Sequence, residues 1–378
     1  MNPDAVVQWL EDGVQHSARW RSEAGVPPPR RVQPARDTLT ATAACRLAGE
    51  GTALLWRSDF HNARQLLQAM ARRADRKPRN AAASPAEAFS LHRQALGQRA
   101  HVLGSLLIEL EPDYAIALPR APDMRPACRE VWGAPHDQRS VASLRELLGL
   151  VGAHEWRKKG VEVPALGPPP GNRIHPHYGV FSPVRGEYLD LIATAPLPSS
   201  ELAFDIGTGT GVIAAILARR GVQRVVATDV DPRALACARE NLRRVGLQDR
   251  VEVLEADLFP PGRAPLVVCN PPWVPARPSS PLERAIYDEG SAMLRGFVQG
   301  LANHLAPGGE GWLILSDLAE HLGLRSREQL MAWFAQGQLR LLGRLDVKPR
   351  HPKASDPGDT LHAARARELT SLWRLAVQ

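Results

Sequence analysis

Leu202-Ala203-Phe204-Asp205-Ile206-Gly207-Thr208-Gly209-Thr210-Gly211 is an apolar run that ends in an acid and opens into alternating glycines. It predicts a strand over 202–206, a tight turn, and a helix from Val212 to Arg220. Strand and helix then alternate. Arg224 to Thr228 reads as a strand, and Pro232 to Val245 as a helix with proline in its first turn. Val251 to Leu254 and Leu266 to Cys269 read as strands, and Leu282 to Leu305 as mainly helical. Gly311 to Leu315 is a strand, Ser326 to Ala335 a helix, and Leu339 to Val347 and Leu369 to Val377 are closing strands. Upstream, Arg185 to Ala193 is a helix with Tyr188, Leu189 and Ile192 inward. Such alternation implies an α/β fold with a doubly wound, mostly parallel sheet.

Glycine in the turn lets backbone approach a ligand where a side chain would block it. Asp205 at the strand end suits the cationic amino end of an amino acid. Asp229 closes the next strand, where an acid accepts hydrogen bonds from ribose hydroxyls. Asp257 and Leu258 follow the third strand and are placed for an adenine ring. Amino-acid end, ribose and adenine together describe S-adenosylmethionine. The glycines run G-x-G-x-G, which weakens a nicotinamide dinucleotide reading, and no G-K-[ST] follows for a nucleotide triphosphatase.

After the fourth strand comes Asn270-Pro271-Pro272-Trp273. A planar exocyclic nitrogen is a poor nucleophile because its lone pair is delocalised. Hydrogen bonds from its protons to the Asn270 oxygen and the Pro271 carbonyl draw it towards a pyramidal, nucleophilic state. Two prolines stiffen the loop, which is catalysis by positioning. Trp273 offers a flat face to a base or an amide. The bland alternative for the loop is a proline-rich turn after a buried strand.

With these residues in place, 178–378 resembles the class I S-adenosylmethionine-dependent methyltransferases, in the group carrying (Asn/Asp)-Pro-Pro-(Tyr/Phe/Trp). That group includes release-factor glutamine methyltransferases, adenine amino methyltransferases and small-domain ribosomal RNA guanine methyltransferases. The resemblance implies a Rossmann-like seven-stranded methyltransferase sheet with a final reversed hairpin. It implies a cofactor loop of Asp205, Gly207, Thr208, Gly209 and Gly211, a ribose contact at Asp229 and an adenine contact at Asp257 and Leu258. It puts Asn270, Pro271, Pro272 and Trp273 at the target site. Tyr287 to Leu294 and Pro307-Gly308-Gly309 are similar in layout to the glutamine enzymes, whereas Gly179-Val180-Phe181-Ser182 resembles the guanine enzymes.

At 378 residues two domains are expected. Pro164 to Gly171 is the boundary: a mainly helical N-terminal domain over 1–170 would present substrate, and 171–378 would hold the methyltransferase domain. In the first part, 1–22 reads as an amphipathic helix, Asp37 as the cap of a second, and Asp59 as the cap of a third carrying Leu66, Leu67 and Met70. A basic run, Arg72, Arg73, Arg76, Lys77 and Arg79, ends that helix and Asn80 to Ser84 links it onward. Pro85 to about Gly104 is helical, Leu106 to Leu110 extended, and Val141 to Trp156 helical, with Gly160 as its left-handed cap.

The net charge is +7, and the basic excess lies in 1–180, which suits an acidic partner such as RNA or a plain solvated surface. Cys45, Cys128, Cys237 and Cys269 are scattered, against a disulfide framework or zinc site and in keeping with a reducing cytoplasm. His175 and His177 are conceivable ligands, but no metal is expected. No apolar run is long enough for a membrane span, and Met1 to Asp4 does not start a signal peptide. The expected acceptor is a base amino group of RNA or DNA. The alternatives are a glutamine amide of a translation protein, a small metabolite, or a non-catalytic binding module on the same fold.

Overall fold

The computed structural model describes residues 5–75, 82–350 and 356–378. Arg76, Lys77 and Arg79 of the basic run, Asn80 and Ala81 of the linker, and Met1 to Asp4 lie outside them. The chain divides into two compact units. One comprises residues up to 83 together with 90–155, and the other 84–89 together with 156–378.

The first unit is built on a six-stranded sheet. Its strands are β1 (Val6–Glu11), β2 (Val14–Arg21), β3 (Arg31–Ala35), β4 (Thr52–Trp56), β5 (Leu106–Leu110) and β6 (Ser140–Ser143), in the order β1-β2-β6-β5-β4-β3. The helices are α1 (Ala41–Gly49), α2 (Phe60–Asp75), α3 (Pro85–Gly104), α4 (Arg125–Trp132) and α5 (Leu144–Lys159). Apart from the one expected over 1–22, the expected helices are present, and Leu106–Leu110 is extended as expected, but the sheet as a whole went unread.

Three local expectations are corrected. Residues 6–21 are a hairpin, not a helix: Val7, Trp9, Ala18 and Trp20 are buried while Val6, Leu10 and Val14 are exposed. That is period two. Glu11 pairs with Val14 across Asp12-Gly13, both at positive φ, the two-residue turn that matches strand twist. The cap of α1 is Thr40, whose hydroxyl accepts from the Ala43 amide at 3.3 Å, rather than Asp37. Val141 and Ala142 belong to β6, antiparallel to β5 and parallel to β2, so the helix begins only at Leu144. Asp59 does cap α2, accepting from the His61 amide at 2.7 Å, and Gly160 takes its left-handed turn after α5.

The second unit opens with the short pair β7 (Val161–Glu162) and β8 (Arg173–Ile174), then α6 (Glu187–Thr194). Then come β9 (Leu202–Ile206), α7 (Val212–Arg219), β10 (Arg224–Asp229), α8 (Pro232–Arg244), β11 (Val251–Glu255) and β12 (Ala264–Cys269). The chain closes with α9 (Ala292–His304), β13 (Leu305–Ser316), α10 (Leu318–His321), α11 (Arg327–Gln336), β14 (Leu339–Val347), α12 (His362–Arg365) and β15 (Thr370–Val377). The span 282–305, expected as mainly helical, is two 3-10 turns followed by α9.

The seven strands run β11-β10-β9-β12-β13-β15-β14. All neighbours are parallel except β15, which is antiparallel to both β13 and β14 and forms the reversed hairpin. Residues of α6, α7 and α8 pack with one face of the sheet, and those of α9 and α11 with the other. Helix α7 is apolar all round, and Val212 to Ala218 are buried without exception, as a helix enclosed on every side requires. Among the described residues no helix is long and apolar enough to cross a membrane.

Candidate active site

Register puts the candidate residues together. Thr228 pairs with Ile206, Asp229 with Glu255, and Cys269 with Ile206. The loops after β9, β10, β11 and β12 therefore leave the same carboxyl edge, where open α/β sheets bind ligands. The chain order folds back between β9 and β12, so the glycine turn and the 270–273 loop follow adjacent strands.

The glycine turn is fixed by its neighbours. Gly207, Gly209 and Gly211 have φ of 70°, 55° and 80°, a region that L side chains enter only with strain. A Cβ on Gly207 would lie 2.5 Å from Met293 Cε, and one on Gly211 3.2 Å from the Ala238 backbone. A Cβ on Gly209 would meet only open space, so that glycine faces a void. The Thr208 amide donates to the Thr228 carbonyl at 2.8 Å, which ties the turn to β10.

Asp205 is fully buried. Its Oδ2 accepts from the Thr208 hydroxyl at 2.6 Å and the Ala214 amide at 3.1 Å, while Oδ1 has no partner among the described residues. Burial pushes its pKa up to about 6, against those two hydrogen bonds. An orphaned buried carboxylate oxygen costs free energy unless a ligand satisfies it. Asp229 accepts from the Gly209 amide and the Asp231 amide, each at 3.0 Å. Burial raises its pKa despite these bonds. A carboxylate offers about four lone pairs, so both oxygens keep capacity for hydroxyl donors. Asp257 is exposed after β11, and Leu258 follows at φ 65°. The Leu258 carbonyl accepts from the Thr228 hydroxyl at 2.5 Å, which holds this strained backbone against β10.

In the second loop Pro271 is buried, and Asn270, Pro272 and Trp273 are half-buried. Trp273 Nε1 donates to Asn270 Oδ1 at 2.9 Å, a bond that the sequence reading did not foresee. The Trp273 side chain packs against the apolar clusters on both faces of the sheet and against the cluster that includes Val274, Leu318 and Leu322. Beyond it, Val274 donates to the Ile286 carbonyl and accepts from the Asp288 amide, clamping the loop to 286–288.

Two further residues support the loop and were not read from the sequence. Asp288 accepts from the Met293 and Leu294 amides and so caps the first turn of α9. The acid three residues before a Ser-Ala-Met helix start was a usable signal. Arg325 is buried, and its Nη1 donates to the Trp273 carbonyl at 3.4 Å. Nothing in Leu324-Arg325-Ser326 announces that burial. His175 and His177 bond to the Arg157 carbonyl and the Glu240 carboxylate. Among the described residues no group of three or more His, Cys, Asp or Glu side chains could hold a metal. A cavity of about 320 Å³ lined by residues such as Arg185, Glu187 and Arg350 shares no residue with either loop.

Residues 172–336 match the family described as the methyltransferase small domain. The release factor glutamine methyltransferase of Moorella thermoacetica is 36% identical over 153 residues, 35% of this chain and 54% of that protein. The tRNA1(Val) (adenine(37)-N6)-methyltransferase of Shewanella loihica is 26% identical over 183 residues, 46% of this chain and 72% of that protein. The chain spans about half the length of the first curated relatives it matches. The ribosomal protein L11 methylase structure from Lactobacillus delbrueckii subsp. bulgaricus aligns with a TM-score of 0.38 at 16% identity, covering 56% of this chain and 89% of that one.

Proposed function

We propose that this chain, whose residues 172–336 match the methyltransferase small domain, is an S-adenosylmethionine-dependent N-methyltransferase acting on a planar NH2 nitrogen. The observation that carries the reading is the adjacency of a glycine turn beside a buried, half-satisfied Asp205 and the Asn270 loop on the neighbouring strand. The residues fit the cofactor. Asp205 Oδ1 suits its ammonium group, the Asp229 oxygens its ribose hydroxyls, the void at Gly209 its close approach, and Asp257 with Leu258 its adenine. Bound there, the cofactor supplies an electrophilic methyl group on sulfur.

The chain's own contribution is positioning. Asn270 Oδ1 has one lone pair taken by Trp273 and one left for an amino hydrogen of the acceptor. The Pro271 carbonyl takes the other hydrogen. Together they localise the nitrogen lone pair and hold it on line. The proton released after transfer passes to water. The N-terminal unit, residues 1–83 and 90–155, has the role of presenting the acceptor.

Two acceptors share this chemistry. A base amino group of RNA has the support of the tRNA adenine relatives. A glutamine amide has the support of the release-factor relatives, 36% and 34% identical over 153 and 139 residues. Labelled cofactor incubated with an extract of cells lacking the gene tests the reaction. Label moving into macromolecules is expected. No label in any fraction, with the cofactor bound, contradicts the reading.

A further inference from the structure

We propose that Trp273 and Arg325 are positioning residues, forming a relay that fixes which end of the Asn270 amide faces the acceptor. This inference rests on the functional reading above.

A terminal amide torsion is close to two-fold, so Asn side chains exchange O and N by a half-turn at little intrinsic cost. Only the oxygen can receive an acceptor hydrogen. A flipped amide would set its own NH2 against the incoming NH2. Trp273 Nε1 lies 2.9 Å from Asn270 Oδ1. Indole nitrogen is a donor only, so it accepts the oxygen end and opposes the nitrogen end. Tyrosine or phenylalanine would give the same flat face with no N–H at this point. The tryptophan is therefore both wall and lock.

The lock needs a fixed base. The Trp273 carbonyl accepts from Arg325 Nη1 at 3.4 Å. Arg325 is only 3% exposed, and its Nε and Nη2 have no hydrogen-bond partner among the described residues. Burial lowers its pKa, partly offset by Glu320 and Asp288. A cation kept at such cost for one backbone carbonyl points to a role at that carbonyl. Arg325 thus sets the loop, the loop sets the indole, and the indole sets the amide.

The test removes the N–H and keeps the ring. Trp273→Phe, and replacement of Trp273 by benzothienylalanine, which puts sulfur where Nε1–H stands, are assayed with labelled S-adenosylmethionine and extract from cells lacking the gene. Both are expected to slow transfer at saturating extract by on the order of tenfold or more. Cofactor affinity stays unchanged, and in the benzothienylalanine protein, which keeps the bicyclic face, so does the half-saturating extract concentration. Arg325→Met repeats the slow phenotype and Arg325→Lys restores part of the rate. Full-rate transfer by the benzothienylalanine protein overturns the relay.

A second arm needs no acceptor. The indole Nε1–H resonance of Trp273, assigned by its loss in Trp273→Phe, should move on Asn270→Ala and on Arg325→Met. A resonance indifferent to both changes also overturns the relay. If the wild type transfers no label while the resonance responds as expected, the methyltransferase reading fails and the relay stands.

Discussion

Asp205 is the residue proposed to take the cofactor's ammonium group. Its folded pKa of about 6 lies above the usual carboxylate value because it is buried, so the native state holds its proton more tightly than the unfolded chain. With no ligand, the group therefore detracts from stability as pH rises from its unfolded value, 3.8, to about 6. A cationic ligand reverses the preference, since it pairs only with the ionised form. Cofactor affinity is thus expected to strengthen as pH climbs through about 6 and then level off, as calorimetric titration between pH 5 and 8 would report. Affinity that is flat across that range would remove Asp205 from the ammonium contact. Asp205→Asn should weaken binding roughly 10- to 100-fold, the worth of a hydrogen bond to a charged group, and abolish that pH dependence. Asp205 stood out as a candidate because it ends a strand before glycines, and Asp229 because it closes the next strand. Arg325 was not, because burial of a lone arginine comes from tertiary packing alone.

Elements carry the next layer. The 3-10 turns and α9 that follow the target loop form one clamp: Asp288 accepts the first amides of α9, and its own amide holds Val274. Asp288→Ala should lower stability by about 1–2 kcal/mol, the usual cost of losing a helix cap, with Asp288→Asn milder because asparagine also caps. Denaturant midpoints for the two variants check this, and equal, negligible shifts would mean that the cap is not holding the clamp. The alternation of 202–269 was easy to read because each strand carries a short apolar stretch. The hairpin of 6–21 was misread because Val6, Val7, Leu10 and Val14 also satisfy helical spacing. Asp12-Gly13, the turn signal between them, decides for strands. A six-stranded sheet with strands as short as β6 leaves little periodicity to find, so the first unit stayed largely unread.

For the whole molecule the open question is the acceptor. The basic surplus of residues 1–180 fits a polyanion, yet the glycine turn and the 270–273 loop serve an amide equally well. After transfer from labelled cofactor to extract, RNA as acceptor predicts label released by nuclease and a rate that falls steeply with added salt. A glutamine acceptor predicts label released only by protease and a weaker salt response. Either outcome leaves the chemistry at the loop intact.

That chemistry is the central claim, and Asn270→Ala tests it most directly. Methyl transfer and cofactor affinity are measured side by side for the wild type and the variant. The variant is expected to lose transfer by on the order of a hundredfold or more while binding the cofactor within about threefold of the wild type, since no cofactor contact has been removed. Transfer that survives near the wild-type rate would contradict the account.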